Sequence, residues 1–266
     1  MTQRNRSVPR SILITGATGA IGSALALEYA APGRTLVLLG RDSSKLAELA
    51  RRCEQLGATA QSSVVDLGAQ KDLDAWLEGL ALAPPPDLVV LNAGVTSHIG
   101  AHGEGESWDA IATVLDINLK ASIAVIQALL PAMRRRGSGQ IALISSLSAY
   151  FGLPLTPAYC ASKAGLKSYG EALRGWLAPQ GIAVNVVMPG FVASAMSDQF
   201  PAPKPFMLSP QQAARLIRRG LERDRARIAF PWPLRLGMWW LAVLPPDLSL
   251  LLLRLSGYGV KRRQPD

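Results

Sequence analysis

Cysteine and histidine are almost absent from these 266 residues, which contain two of each. Cys53 and Cys160 alone build no disulfide framework, and this points to a reducing compartment. His98 and His102 sit in a Gly-rich stretch without cysteine or carboxylate partners at ligand spacing. They read as loop residues, and no metal is expected. Charged residues are also scarce, at 18% against 49% hydrophobic, which excludes extensive disorder and suits a well-buried core. Residues 1–10 carry three arginines but no apolar run of the kind a secretory signal needs, so the expected location is the cytoplasm. No internal repeat or long linker divides the chain, whose length suits one large α/β domain.

Acidic residues thin out toward the carboxyl end. Residues 204–266 hold twelve Lys and Arg against four Asp and Glu, whereas residues 1–203 hold sixteen against fifteen. Nearly all of the net charge of +9 therefore lies in the last quarter, and the body before it is close to neutral.

From residue 12 to about residue 230, short apolar runs alternate with longer stretches of helical period. This is the pattern of parallel strands joined by crossover helices. Strands are expected at 12–15, 35–39, 60–65, 88–91, 140–145, 182–187 and 227–230, and helices near 20–31, 43–56, 70–82, 107–136, 157–178 and 210–223. Leu88–Leu91 is apolar throughout, as a strand covered on both faces must be. Pro84, Pro85 and Pro86 separate a helix from the next strand, while Ser209, Pro210 and Gln212 announce a helix start. The fold class is α/β: a Rossmann-type, doubly wound parallel sheet of about seven strands with helices on both faces.

Directly after the first strand comes Thr15-Gly16-Ala17-Thr18-Gly19-Ala20-Ile21-Gly22, opening a helix. A phosphate needs close backbone approach and free N–H groups at a helix start, and glycine allows the approach. The candidate cofactor contacts here are Gly16, Thr18, Gly19, Ala20, Ile21 and Gly22. The second strand ends in Gly40-Arg41-Asp42. A carboxylate at that point would bind a ribose hydroxyl and repel a 2′-phosphate, whereas arginine pairs with the phosphate, so Arg41 favours NADP(H) over NAD(H). The plainer reading makes Arg41 a solvated side chain and Asp42 a helix cap.

Tyr159 and Lys163 are four residues apart within an expected helix and so share a face. Ser146 lies thirteen residues before the tyrosine, past a strand end, and Asn118 lies inside the long helix before that. In this order and spacing the chain resembles the short-chain dehydrogenase/reductase family. The resemblance runs from residue 12 to about residue 196 and includes Val65-Asp66-Leu67, Asn92-Ala93-Gly94 and Pro189-Gly190-Phe191-Val192-Ala193-Ser194. It implies adenine contacts at Asp66 and Leu67, a turn at Asn92, Ala93 and Gly94, and nicotinamide contacts from Pro189, Gly190, Val192 and Ser194. Ser194 stands where the family usually has threonine. The glycine spacing departs toward the longer, sugar-nucleotide branch, with Ala20 in place of a glycine, but length and the Ser-to-Tyr interval favour the shorter one.

The implied chemistry interconverts a ketone and a secondary alcohol. Tyrosine titrates near pH 10, so it needs a nearby ammonium to exchange a proton at neutral pH, and Lys163 supplies it. By resemblance Lys163 also holds the nicotinamide ribose, Ser146 bonds the substrate oxygen, and Asn118 holds a water linking Lys163 to solvent. Cys160 reads as a small buried residue, since no histidine accompanies it. Two competing readings are a nucleotide-sugar epimerase or dehydratase that retains its NAD, and a non-catalytic NADP(H)-sensing module. By resemblance the chain is expected to pair as a homodimer or homotetramer through the helices near 107–136 and 157–178.

The catalytic domain is taken to run to residue 230, with residues 231–266 as an apolar, basic extension. Within the domain, Pro201, Pro203 and Pro205 space a loop carrying Phe200, Phe206 and Met207, an expected apolar lid, followed by a helix with Arg215, Arg218, Arg219 and Arg223. The extension holds Trp232, Trp239 and Trp240 and a leucine run at 250–253, cut by Pro245-Pro246 into pieces shorter than a spanning helix. Residues 231–263 therefore read as a segment that lies in an anionic membrane interface, peripheral to the inner face. The alternative is that they close the substrate pocket or meet a second subunit. Nucleic acid is not an expected partner.

Overall fold

The structure, a computed structural model, describes residues 8–100 and 103–259. His102 and the Lys261, Arg262 and Arg263 cluster lie outside the described residues. Seven strands are present: β1 Ser11–Ile14, β2 Thr35–Gly40, β3 Thr59–Val64, β4 Leu88–Leu91, β5 Gly139–Ile144, β6 Ile182–Pro189 and β7 Arg227–Phe230. They form one parallel sheet in the order β3-β2-β1-β4-β5-β6-β7. Each lies where the apolar runs place a strand. The largest difference is at β6, which continues two residues past 187 because Met188 and Pro189 pair with Ala229 and Phe230 of the last strand.

The helices are α1 Ala20–Tyr29, α2 Ser43–Gln55, α3 Gln70–Leu82, α4 Trp108–Leu115, α5 Ala121–Arg136, α6 Pro157–Leu177, α7 Ala195–Asp198, α8 Pro210–Glu222, α9 Trp232–Val243 and α10 Pro246–Leu253. Successive strand residues face opposite sides, and β1 shows the consequence. Ile12 and Ile14 pack with Leu25 of α1 and Ile217 and Leu221 of α8. Leu13 packs on the other side with Val125 and Leu129 of α5 and Leu166 of α6. Both faces of the sheet are thus covered, and the crevice of such a sheet opens where the strand order reverses, between β1 and β4.

Two helical regions differ from the periodicity. The single helix expected near 107–136 is α4 and α5 joined by a π turn, Asp116–Lys120, a local widening that a 3.6-residue pattern does not reveal. The basic helix α8 begins with the expected reciprocal cap, Gln212 N–H to Ser209 Oγ at 3.2 Å and Ser209 N–H to Gln212 Oε1 at 2.9 Å. Its Arg218, however, is not part of a free basic face. It pairs with Glu28 at 3.3 Å and Glu222 at 2.8 Å, tying α8 to α1.

Beyond β7 the chain does not leave the body. Met238 of α9 packs with Leu147, Val186 and Met188. After α10 the chain ends its described course in a short turn, Arg254–Tyr258, which Gly257 kinks with φ +84°. Tyr258 Oη donates to Pro203 O at 2.7 Å, so the proline-spaced loop and the carboxyl-terminal turn hold each other.

Candidate active site

The Gly-rich turn is shaped by contacts that exclude side chains. Gly16 has φ +60°, and a Cβ there would lie 2.8 Å from Ala93 Cα. Asn92 secures the same contact from β4, donating from Nδ2 to Gly16 O at 2.9 Å and Thr15 O at 3.1 Å. α1 then starts at Gly19 with no side chain capping it, so its first N–H groups face the crevice without a partner from a cap. A groove of about 910 Å³ runs from this turn along the strand ends, and Gly16, Thr18, Gly19, Ala20 and Ile21 line it. Arg41, Asp66, Leu67, Asn92, Ala93, Gly94, Val192 and Ser194 line it as well.

Three of the residues expected to touch cofactor are elsewhere. Gly22 lies behind the turn, where a Cβ would come within 2.3 Å of Gly16 O, so its lack of a side chain lets α1 pack against the turn. Pro189 is buried at the end of β6 and pairs with Phe230. Gly190 lines a second cavity rather than the groove.

At the far end of β2, Asp42 caps α2 by accepting Lys45 N–H at 3.0 Å and pairs with Lys45 Nζ at 3.1 Å. The cap holds the Asp42 carboxyl below the usual range. Arg41 is exposed and makes no ion pair among the described residues. Lys45, not singled out by sequence, also lines the groove, because one turn of helix brings it back to the strand end. This end of the groove therefore presents two cations and one carboxylate, the Asp42 carboxylate being paired with Lys45.

The second cavity, of about 540 Å³, adjoins the first. Tyr159 lines both. Ser146 and Ser148 lie on the substrate-cavity side, and Lys163 and Ser145 on the groove side. Ser146 Oγ accepts Ser148 N–H at 3.1 Å, which leaves its own proton free to donate. Ser145 is committed to structure, donating to Lys163 O at 2.7 Å. Ser148 Oγ is buried without a hydrogen-bond partner.

Lys163 is buried, and its Nζ donates to Ile144 O at 2.9 Å and stands 5.7 Å from the centre of the Tyr159 ring. Desolvation pulls the lysine down to about 8, so it is still mostly protonated at neutral pH. Burial pushes the Tyr159 phenol up to about 12, while the Ser146 hydroxyl facing it acts in the opposite direction. The phenol is thus a proton donor at rest, and the adjacent cation and hydroxyl stabilise the phenolate that donation leaves.

Asn118 sits in the π turn, completely buried. Its Oδ1 accepts Val95 N–H at 2.8 Å, and its Nδ2 donates to Val95 O at 2.9 Å and Ser162 Oγ at 3.0 Å. The amide therefore clamps the chain leaving β4 against α6. A Cβ on Gly94 would lie 3.2 Å from Asn118 Oδ1 and 3.3 Å from Lys163 Nζ, so that glycine keeps the space between them open. Glu106, also unmarked in the sequence, accepts Ala158 N–H at 2.9 Å and places a negative charge at the start of the helix that carries Tyr159.

The far wall of the second cavity comes from the carboxyl-terminal helices. Leu234, Met238 and Leu241 of α9 and Leu253 of α10 line it, with Phe200 and Tyr258. His98 lines its other side. Phe200 packs in tilted contact with Phe191 at 5.5 Å and Tyr258 at 6.0 Å, so part of the proline-spaced loop is wall, while Phe206 and Met207 are exposed.

A family profile described as short chain dehydrogenase matches residues 10–204. The chain belongs to the short-chain dehydrogenase family. An uncharacterized oxidoreductase of Myxococcus xanthus is 35% identical over 243 residues, covering 90% of this chain and 94% of its own. A short-chain dehydrogenase from Sphingobium yanoikuyae, solved in complex with NADPH, superposes with a TM-score of 0.78 at 24% identity, covering 96% of this chain and 98% of that one. A putative NAD(P)-dependent gluconate 5-dehydrogenase from Beutenbergia cavernae with bound NADP gives 0.72 at 27% identity, covering 83% and 93%. This short-chain dehydrogenase is accordingly an oxidoreductase, and its open glycine cradle, uncapped α1 start and cationic strand end fit a nicotinamide dinucleotide.

Proposed function

We propose that this short-chain dehydrogenase interconverts a ketone and a secondary alcohol on an apolar substrate, with NADP(H) as its cofactor. The observation that carries the reading is the position of Tyr159, which lines both the dinucleotide groove and the substrate cavity. A bound nicotinamide supplies or accepts the hydride. Tyr159 donates its proton to the carbonyl oxygen in reduction and recovers one in oxidation. Ser146 holds that oxygen with its free proton, and Lys163 keeps the phenolate stable through its charge.

Arg41 supports the NADP(H) preference, with Lys45 beside it; the Asp42 carboxylate, which also lines this end of the groove, is engaged by the α2 cap and by Lys45. Apolar substrates are supported by the leucines, methionine and aromatics of the cavity wall. No lysine or arginine among the described residues lines that cavity, which disfavours the pyrophosphate of a nucleotide sugar. Retained Tyr159, Lys163 and Ser146 disfavour a purely sensing role.

The test is NADPH consumption by the purified protein against a panel of long-chain, aryl and polycyclic ketones, with short polar ketones and nucleotide-sugar ketones as comparison. Turnover that rises with apolar size, and exceeds that with NADH, is the expected result. Turnover confined to sugar nucleotides, or none with any ketone, would overturn the proposal.

A further inference from the structure

α9 and α10 are apolar on two opposite faces. On α9, Leu234, Met238 and Leu241 recur at i, i+4 and i+7 and line the substrate cavity. Between them Leu236, Trp239 and Val243 recur at i, i+3 and i+7 and are exposed. α10 and the turn after it repeat the arrangement: Leu253 and Ser256 face the cavity, while Leu248, Leu251 and Leu255 face outward, the last 77% exposed. A helix that is apolar all round is normally covered on all sides. Here the inner half is covered by the enzyme and the outer half is not, a contiguous surface of the kind that marks an interaction site.

We infer that this outer face docks on an anionic membrane surface, with α9 and α10 lying in the plane of the interface. Neither helix crosses a bilayer, since twelve and eight residues reach about 18 and 12 Å against a core of about 30 Å. The described segment that is long and apolar enough to span, Trp108–Arg136, is half buried in the core between β4 and β5. Trp232 and Trp239 on the outer face are the residue type favoured at a bilayer's polar boundary.

Charge selects the partner. Arg235 and Arg254 are exposed beside the apolar face and make no ion pair among the described residues. Asp247 is the sole acid from residue 231 to residue 259, and the sequence adds Lys261, Arg262 and Arg263 directly after. Anionic headgroups complement this set, whereas a second copy of the same face would bring its arginines against their like.

The cavity opens next to this surface. Trp240 and Leu252 line it and are also 50% and 39% exposed. An apolar substrate dissolved in the bilayer would then enter along a continuous apolar path. That last step rests on the proposed substrate class; the docking itself does not.

The test is co-sedimentation of the full chain with vesicles of phosphatidylcholine, with and without one-third phosphatidylglycerol, at low and at high salt. Binding to anionic vesicles at low salt, several-fold weaker on neutral vesicles or in high salt, is expected. Leu236→Gln, Trp239→Gln and Leu251→Gln together should abolish it while NADPH binding, read by fluorescence, persists. Should that variant fail to fold, Arg235→Glu with Arg254→Glu must still lower anionic binding several-fold. Equal binding to neutral vesicles would overturn the anionic assignment. A chain that stays in the supernatant throughout would overturn the docking, and an oligomer that the triple variant dissociates would give the face to a second copy. Turnover is not measured, so failure of the ketone assay and failure here remain distinct.

Discussion

Replacing Lys163 by methionine is expected to stabilise the cofactor-free protein at neutral pH while removing its activity. The side chain is 4% exposed, and burial lowers its pKa from 10.5 to about 8. Between those two values the unfolded chain still holds a proton that the folded chain has shed. Stability from this residue therefore rises with pH across the window, and below about pH 8 the charge is a constant cost. The gap corresponds to about 3 kcal/mol at pH 7 and under about 1 kcal/mol at pH 10.

Methionine keeps similar bulk without the charge, and it loses the hydrogen bond to Ile144 O, which offsets about 1 kcal/mol. A net gain of about 2 kcal/mol remains at pH 7 and none at pH 10. For 266 residues, with an unfolding entropy of roughly 0.6 kcal/mol per degree, the melting temperature should rise by about 3 °C at pH 7. Thermal unfolding of parent and variant without cofactor, at several pH values from 7 to 10, isolates the effect, because all other titrations cancel in the difference. A difference that does not change with pH, or a variant less stable at pH 7, would refute the reasoning. Turnover, by contrast, should fall by at least about a hundredfold.

Tyr159→Phe removes the transferable proton and little volume, so NADPH binding should persist while kcat drops by about a thousandfold or more; near-normal kcat would end the proposed role. Arg41→Ala should weaken NADPH about ten- to a hundredfold and leave NADH nearly unchanged, as measured by cofactor titration, since it removes one charge-assisted contact to a phosphate. Gly16→Ala forces a left-handed residue against Ala93, costing at least about 1–2 kcal/mol by denaturant unfolding and weakening both cofactors equally.

The sheet was legible in the sequence because its strands are short, apolar and evenly separated by helical stretches. Leu88–Leu91 could be read alone, being buried throughout as its composition requires. Residues whose roles are set locally were legible too: Gly16 by its turn, Tyr159 and Lys163 by their shared helical face. What was hidden depends on partners far along the chain. Asn118 grips Val95 and Ser162, 23 and 44 residues away, and nothing in its neighbourhood announces either. Lys45 and Ser148 become site residues only once a helix start and a short turn are built. Gly22 and Pro189 follow the expected pattern yet serve packing, because a motif marks a position in the chain and not the direction a residue faces. The carboxyl-terminal helices were visible as apolar, but sequence could not show that one side would wall the cavity.

The π turn at Asp116–Lys120 adds nearly one residue to a turn of helix, which rotates everything after it by about 100° relative to an unbroken α-helix. Val114 before the turn and Val125, Leu129 and Met133 after it are all buried. The widened turn takes up one residue more than an α-helical turn would hold, so deleting one residue there would let an ordinary α-helix form with the apolar residues of both halves still seated. What such a deletion would remove is the clamp, since Asn118 sits within the turn and grips Val95 and Ser162 from it. The extra residue therefore serves the site and not the core: its deletion should cost little stability and much of the clamp's function.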